Sequence, residues 1–212
     1  MLNERQKAVL TQFLQRNPAL QGEKENLLSA YRLLKDCYDG SGLVLTCGNG
    51  GSAADSEHIV GELMKGFLSR RPLNEKDSAV FTGLADDNFP KKLQKALPAI
   101  ALVSQTALLS AYANDVDASM VFAQQAYAYA KENDVLIGLS TSGNSANVVN
   151  AAIAAKAKGA KVIALTGEKE SRLSELADVA FRVPSQETFI VQEYHLPIYH
   201  ALCALIELAY FT

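Results

Sequence analysis

Apolar residues recur at helical spacing through the first forty residues of the chain. Two sets carry this spacing, and each set shares one face of a predicted helix: Val9, Leu10, Phe13 and Leu14 in the first stretch, and Leu27, Leu28, Tyr31 and Leu34 in the second. Asn17-Pro18 separates the stretches, because proline disfavours the interior of a helix. The pattern predicts two N-terminal helices. Their apolar faces either cover a core or pack against other subunits, and both interpretations stay open.

Five short apolar runs follow, each about as long as a buried strand: 43–47, 99–103, 135–139, 161–165 and 179–183. Helix-patterned segments lie between most of them. This alternation predicts an α/β protein with a parallel sheet and helices on both faces. We expect one domain over residues 1–212, with N-terminal helices in 1–39 and the α/β core in 40–212. Ligands of such sheets bind beyond the carboxyl ends of the strands, here after Cys47, Leu139 and Leu165.

The segment 69–98 departs from this alternation. It is polar and contains three of the six prolines, among them Pro90 and Pro98. We interpret it as an elaborated surface loop, either a plain insertion, which is the simpler interpretation, or a lid. Residues 91–97 are predicted to form a short helix within it.

Composition and charge exclude several classes of function. Apolar residues make up 49% of the chain and charged residues 20%, the balance of an ordinary soluble protein. The net charge of −3 and the absence of a Lys/Arg run argue against direct nucleic-acid binding. The N-terminus lacks an apolar signal core, and the apolar tail at 201–211 is too short to span a membrane. Three scattered cysteines, Cys37, Cys47 and Cys203, predict reduced thiols and a cytoplasmic location.

A glycine-rich turn, Gly48-Asn49-Gly50-Gly51-Ser52, follows the first predicted strand and precedes a helix pattern at 53–67. Glycines at such a turn let the backbone approach a ligand closely. The helix N-terminus supplies N–H groups and a positive dipole end, which suit an anion, and Ser52 adds a hydroxyl. The plainer alternative is a tight turn with Ser52 as the helix N-cap.

A second turn, at 140–145, follows the third predicted strand and precedes a helix pattern at 146–157. It contains four hydroxyl residues and a glycine: Ser140, Thr141, Ser142, Gly143 and Ser145. Neutral donors at a helix N-terminus bind phosphate without a lysine. A capping role for Ser145 is the alternative, but two such turns in one sheet favour an anion site.

The first turn also matches a dinucleotide fingerprint loosely, as Gly48-x-Gly50-x-x-Ala53. That motif requires a second strand ending in an acidic residue about 20 residues further on. The corresponding region, 67–77, is polar and unlike a buried strand, so nicotinamide binding is the weaker interpretation.

Two helices contain all three histidines. His58 and Glu62 are four residues apart, on one face of the first of these helices, which suits a shared metal or a base beside an imidazole. A surface pair is the alternative, but the apolar and small neighbours favour a partly buried functional pair. His195 and His200 lie in the last predicted helix, at 192–207, where Pro197 is expected to cause a kink.

Four runs together resemble the phosphoheptose isomerases of the SIS superfamily: CGNGGSAADSEHIVGEL, GLSTSGNSANVV, VIALTG and VQEYHLPIYHALCALIE. The resemblance covers most of the chain from about residue 40 onward, in the same order. It implies a flavodoxin-like SIS domain assembled as a homotetramer, with sites at subunit interfaces. It further implies a small sugar phosphate as substrate and interconversion of sedoheptulose 7-phosphate with a heptose 7-phosphate aldose.

The resemblance also implies roles for particular residues. Glu62 and His200 match the acid–base pair, and His58, Glu62, Gln192 and His200 match zinc ligands. Substrate contacts are expected from the two turns and from three further residues: Asn49, Gly50, Gly51, Ser52, Ser140, Thr141, Ser142, Ser145, Asn114, Asp115 and Gln192. Gln192 and His200 are separated by roughly 12 Å of helix rise, so they reach one metal only by leaning together, or else one of them serves another site or subunit.

Two rival functions stay open at this point. One is a non-catalytic SIS scaffold that binds a protein such as a replication initiator, against which the presence of both Glu62 and His200 argues. The other is a sensor or isomerase of a different sugar phosphate. The length of the 69–98 segment, the run 188–191 and Pro197 depart from the family pattern, and they affect the identity of the sugar more than the fold.

Overall fold

A computed structural model of the protein describes residues 2–211. It contains one five-stranded sheet in the order β2-β1-β3-β4-β5, with every pairing parallel. The strands are β1 (Val44–Cys47), β2 (Ala99–Ala101), β3 (Val135–Leu139), β4 (Lys161–Thr166) and β5 (Val179–Arg182). The five predicted strands are thereby confirmed. Only β2 differs by more than one residue, because the chain enters a 3-10 turn at Leu102–Ser104.

Nine α-helices accompany the sheet in the described part of the chain: α1 (Glu4–Arg16), α2 (Lys24–Asp39), α3 (Gly51–Met64), α4 (Glu75–Ala79), α5 (Thr106–Tyr112), α6 (Val121–Tyr129), α7 (Ala146–Ala157), α8 (Arg172–Leu176) and α9 (Thr188–Tyr210). Helix α7 has the predicted bounds. Helix α3 begins two residues before the predicted start and ends three residues before the predicted end. Helix α9 is longer than predicted and is continuous through Pro197.

Two apolar clusters, one on each face, bury the sheet. On one face Val135, Ile137 and Leu139 of β3 pack in a cluster with residues of α1, α2, α3 and α9. On the other face Leu136 joins a cluster with α6, α7 and α8, since successive side chains of a strand point to opposite faces. The predicted arrangement, with helices on both faces, is therefore confirmed.

The N-terminal helices cover the core of their own chain. Leu27 and Leu34 of α2 and Phe13 of α1 are buried against the first of these clusters. Gln6 is also buried, and its Nε2 donates to the carbonyl oxygen of Leu205 in α9 at 2.8 Å. The first of the two interpretations of these helices is thus correct for the single chain.

The strand order places a switch point between β1 and β3. The chain leaves β1 for β2 on one side and later returns to β3 on the other, so the connections diverge at the carboxyl ends of these two strands. In open parallel sheets this crevice is where ligands bind. The two turns singled out from the sequence follow β1 and β3.

The polar segment 69–98, interpreted from the sequence as a surface loop, contains a residue that is buried. Arg71 is buried, with a backbone φ of +52°, and its Nε donates to Glu207 Oε1 of α9 at 2.7 Å. Its guanidinium also donates to the carbonyl oxygens of Leu63 (2.6 Å) and Glu62 (3.0 Å) at the end of α3.

The predicted helix at 91–97 is wrong: only a 3-10 turn, Pro90–Lys92, forms there, because Gln94 bridges to Pro72 instead.

His195 is the structural histidine of α9. It is fully buried, and its Nε2 lies 3.4 Å from the carbonyl oxygen of Thr166. Burial lowers the pKa of His195 to about 4, although the hydrogen bond to Thr166 acts in the opposite direction, so the ring is neutral near pH 7.

Cys37, Cys47 and Cys203 are buried free thiols. Among residues 2–211, no helix is both long and apolar enough to cross a bilayer.

Candidate active site

The two turns meet at the switch point through a pair of amides. Asn49 of the first turn and Asn147 of α7 exchange two hydrogen bonds, each Nδ2 donating to the other Oδ1 at 2.9 Å. Asn49 follows β1 and Asn147 lies at the start of α7, the helix after β3, so the connections that follow these neighbouring strands meet here. Sequence reasoning missed Asn147, although an amide two residues into a helix that follows a serine-rich turn was an available signal.

The first turn starts α3 without a side-chain cap. Gly50 is the N-cap residue, with φ +56°, and the helix begins at Gly51. The alternative with Ser52 as N-cap is therefore wrong. Ser52 lies inside the first turn of α3 and is largely buried. The N–H groups of Ser52 and Ala53 donate to the carbonyl oxygens of Asn49 and Gly50, both at 3.0 Å, so among residues 2–211 the N–H of Gly51 is the one in this first helical turn that remains for an anion.

Gly51 lies directly beneath the side chain of Gln192. A Cβ at Gly51 would lie 2.7 Å from Gln192 Nε2, so a larger residue at this position would displace the end of the Gln192 side chain. Gln192 therefore belongs to the neighbourhood of the first turn. Its role as a substrate contact stays a prediction.

The second turn is organised around Ser140. Its hydroxyl donates to Ser145 Oγ at 3.0 Å, and the Ser142 hydroxyl accepts from the N–H of Asn144 at 3.2 Å. Ser145 occupies the N-cap position of α7, but its hydroxyl caps no N–H of the helix. The capping alternative is not realised, and this helix end also keeps N–H groups for an anion.

A polar cleft of about 270 Å³ adjoins the second turn. It is lined by residues that follow β3, β4 and β5: Thr141, Ser142, Asn144, Gly167, Glu168, Lys169, Glu170, Ser185 and Gln186. The expected location after Leu165 thus contributes to the same edge of the sheet. Lys169 is a cation within this lining that the sequence pattern did not single out.

Gly143 is where the second turn depends most on glycine. Its φ is +66°, and an added Cβ would overlap the Oγ and Cβ of Ser171 beneath it. We expect Gly143→Ala to destabilise the fold by about 2 kcal/mol or more and to weaken sugar-phosphate binding, since both the backbone angle and the overlap oppose it. Thermal unfolding and calorimetric titration measure the two effects.

Gly83→Ala is the matched control for this prediction. Gly83 also has a positive φ, +80°, but an added Cβ meets nothing within 4 Å. It therefore carries the backbone cost without the overlap. Equal losses of stability in the two variants would contradict the role of Ser171 under the turn.

His58, Glu62 and His200 form a cluster between α3 and α9. His58 Nε2 lies 3.2 Å from Glu62 Oε1 and 3.5 Å from His200 Nε2. The Glu62 side chain is 12% exposed, and its Oε2 also pairs with Lys65 Nζ at 3.1 Å. Burial and the neighbouring His58 lower the pKa of His200, which favours a neutral imidazole. A carboxylate beside a neutral imidazole is equipped to move protons.

Within one chain the cluster of His58, Glu62 and His200 lies away from the two turns. His58 lies seven residues along α3 from Gly51, roughly 10 Å of helix rise, and Glu62 lies roughly 16 Å away. Gln192 and His200 are separated in the same way along α9. Asn114 and Asp115 are exposed in a π-helical turn, Ala113–Asp117, and within residues 2–211 neither hydrogen-bonds to the two turns.

The donor types of the cluster suit zinc. Ligands of a tetrahedral zinc with bonds of 2.0–2.1 Å are about 3.3 Å apart, close to the two separations measured at His58 Nε2. A finished set of three His, Cys, Asp or Glu ligands is not found among residues 2–211. Gln192, the fourth predicted ligand, lies instead over Gly51.

The fold and these turns define a sugar-phosphate-binding protein of the SIS type. The family model described as "SIS domain" matches residues 10–91 and 87–167. The expected flavodoxin-like strand order, with N-terminal helices added, is the order observed.

Known relatives specify the family further. The chain is 42% identical over 164 residues to a phosphoheptose isomerase of Nitratiruptor sp., covering 77% of this chain and 75% of the relative. It is 38% identical over 199 residues to that of Thermodesulfovibrio yellowstonii, covering 94% and 85%. The structure of phosphoheptose isomerase from Neisseria gonorrhoeae superposes with a TM-score of 0.73 at 33% identity, covering 96% and 97%. The chain belongs to the phosphoheptose isomerase family.

Proposed function

We propose that the protein interconverts sedoheptulose 7-phosphate and D-glycero-D-manno-heptose 7-phosphate by aldose–ketose isomerisation. The observation that carries the proposal is the contact of Glu62 and His200 with the same ring, His58, in a member of this family. Both predicted acid–base groups are present and adjacent, so the non-catalytic alternative is not favoured.

Isomerisation moves one proton between adjacent carbons and another between their oxygens. In our proposal the Glu62 carboxylate takes the proton from the hydroxyl-bearing carbon beside the carbonyl, which leaves an enediol. The His200 imidazole transfers the proton between the two oxygens, and Glu62 returns its proton to the neighbouring carbon. No group is lost or gained, so the product is the isomeric sugar phosphate.

The two turns supply phosphate binding in this proposal. The hydroxyls of Ser140, Thr141, Ser142 and Ser145 and the N-termini of α3 and α7 provide neutral donors, which suit a dianion at the edge of the sheet. Asn49 and Gln192 lie beside the first turn and are assigned to the sugar hydroxyls. Ser52, Asn114 and Asp115 are proposed as further contacts on the strength of the family resemblance alone.

We also propose zinc as a cofactor, for which His58, Glu62 and His200 would supply ligands once their side chains come together as a group that residues 2–211 do not present in this structure. When bound, it would polarise the substrate carbonyl and so favour loss of the adjacent proton. The spacing at His58 Nε2 and the neutral His200 support this assignment. Gln192 would complete the ligand set only from another chain, since its amide lies over Gly51 in its own chain.

A site shared between subunits of a homotetramer accounts for the distance between the cluster and the turns. His200 borders an apolar groove of about 460 Å³ between α1 and α9, lined in part by Phe13, Leu196 and Ala201. Apolar surface beside a catalytic cluster favours coverage by another subunit. We therefore propose that the cluster of one subunit faces the turns of its neighbour.

Subunit complementation tests the shared site. Glu62→Gln damages the cluster, and Ser142→Asp places a carboxylate where the phosphate should bind. Each variant alone should be inactive, whereas tetramers assembled from both should regain activity, because some sites then combine two intact halves. In a mixture of Glu62→Gln with His200→Asn, every subunit has a damaged cluster, so no site has two intact halves and no activity should return. Equal inactivity of both mixtures would contradict the shared site.

Turnover assays test the substrate. Protein supplied with zinc should convert sedoheptulose 7-phosphate faster than the five- and six-carbon ketose phosphates, measured as aldose formed. We propose further that it acts in the cytoplasm on this small molecule, without binding nucleic acid or membrane directly. Absence of turnover on every ketose phosphate, together with stoichiometric capture of a protein partner, would instead support the scaffold alternative.

A further inference from the structure

A chain of hydrogen bonds extends behind His58, on the side away from Glu62. His58 Nδ1 lies 3.0 Å from the hydroxyl of Tyr199, and that hydroxyl donates to Asp55 Oδ1 at 3.0 Å. Tyr199 is 1% exposed, and its ring meets the His58 ring edge to face with centroids 5.5 Å apart. The contact is therefore built into the packing of α3 against α9.

The donor and acceptor of each of these two hydrogen bonds follow from the number of protons that Tyr199 and Asp55 carry. A tyrosine hydroxyl has one proton, and an ionised carboxylate only accepts hydrogen bonds. With that proton donated to Asp55, the Tyr199 oxygen is left to accept from His58, which requires a proton on His58 Nδ1.

We propose that Tyr199 and Asp55 are positioning residues that fix His58 in the Nδ1–H tautomer. In this tautomer the ring presents the lone pair of Nε2 to the space shared by Glu62 and His200. A metal-binding histidine needs this lone pair, and a partner at its other nitrogen fixes both the tautomer and the orientation of the ring. The reason for fixing this tautomer rests on the proposed function, whereas the hydrogen bonds that fix it do not depend on that function.

The tautomer is measured directly on metal-free protein carrying 15N-labelled histidine. Long-range 1H–15N spectra distinguish the two tautomers, and His58→Gln assigns the signals. We expect His58 as Nδ1–H in the unmodified protein, with that preference lost in Tyr199→Phe. The control, Tyr194→Phe, removes from the same helix a hydroxyl that makes no hydrogen bond among residues 2–211, and it should change nothing.

Zinc titration supplies the second measurement. Loss of an outer partner of a metal-binding histidine weakens metal binding by about 10–100-fold. We expect a loss of this size in Tyr199→Phe, a smaller loss in Asp55→Asn, and none in Tyr194→Phe. Should Tyr199→Phe fail to fold, Asp55→Asn carries the test, because its amide can donate to Tyr199 and so lets the tyrosine donate to Nδ1.

An Nε2–H tautomer in the unmodified protein, or an unchanged tautomer in both Tyr199→Phe and Asp55→Asn, would overturn the inference. These results are independent of turnover. If His58 is locked as Nδ1–H but no sugar phosphate is converted, the positioning inference stands and the proposed function fails. If turnover occurs with an unlocked His58, the function stands and the inference fails.

Discussion

Glu62→Gln is expected to lower kcat by about 10²- to 10⁴-fold while sugar-phosphate binding survives, because general acid–base groups contribute rate enhancements of this size. The substitution keeps the shape of the side chain and removes the charge and the proton-accepting oxygen. The carboxylate lies 3.2 Å from His58 and is only 12% exposed, so no nearby water easily replaces it. Steady-state assays and calorimetric titration with the sugar phosphate separate the two effects.

Glu57→Gln is the matched control for this variant. Glu57 is exposed on the same helix, and its Oε1 accepts from the Ser104 hydroxyl, a bond that the amide oxygen can still make. Its kcat should stay within about twofold of the unmodified protein. A Glu62→Gln protein that keeps full kcat would remove Glu62 from the chemistry, whatever its effect on binding.

Arg71→Met is expected to destabilise the protein by about 3–5 kcal/mol, since it leaves the buried Glu207 carboxylate without its opposite charge and with only the backbone N–H groups of residues 67–69 as donors. Both side chains of the Arg71–Glu207 pair are 0% exposed. The same change removes two donors from the carbonyl oxygens that end α3, including that of Glu62. We therefore expect kcat to fall as well, because the helix end that carries Glu62 loses its link to α9.

Two further variants, Arg70→Met and a double variant, test whether the unpaired charge causes the loss of stability in Arg71→Met. Arg70 is the exposed neighbour of Arg71, and losing its charge should change the free energy of unfolding by less than about 0.5 kcal/mol. Arg71→Met combined with Glu207→Gln removes both charges, keeps a side-chain oxygen for the N–H groups of residues 67–69, and should be more stable than Arg71→Met alone. Denaturant unfolding of the three variants measures this, and a double variant less stable than the single one would contradict the unpaired-charge explanation.

The fold was largely predictable because its signals are local. Residues 135–139 form an unbroken apolar run followed by serines and glycine, which specify a buried strand and the turn after it. Helix α7 follows with its predicted bounds for the same reason. Residues 91–97 have helical composition, yet Gln94 pairs with Pro72, and this longer-range contact overrides local propensity.

The supporting parts of the site were not predictable in the same way. Arg70 and Arg71 look alike in sequence, and only the fold determines that one is exposed while the other pairs with Glu207, 136 residues away. Tyr199 occupies an apolar stripe and gives no sign that its hydroxyl reaches both His58 and Asp55. Glu62 and His200 could be proposed from the sequence because their residue types and motifs suit the chemistry, and their acid–base role stays a prediction.

The most direct test of isomerase chemistry is turnover of sedoheptulose 7-phosphate in deuterium oxide, followed by NMR. An enediol route in which Glu62 carries the carbon-bound proton predicts that the aldose product acquires solvent deuterium at carbon 2, in the unmodified protein and not in Glu62→Gln. Failure of the zinc-supplied protein to form the aldose, or formation at the same rate in Glu62→Gln, would contradict the account.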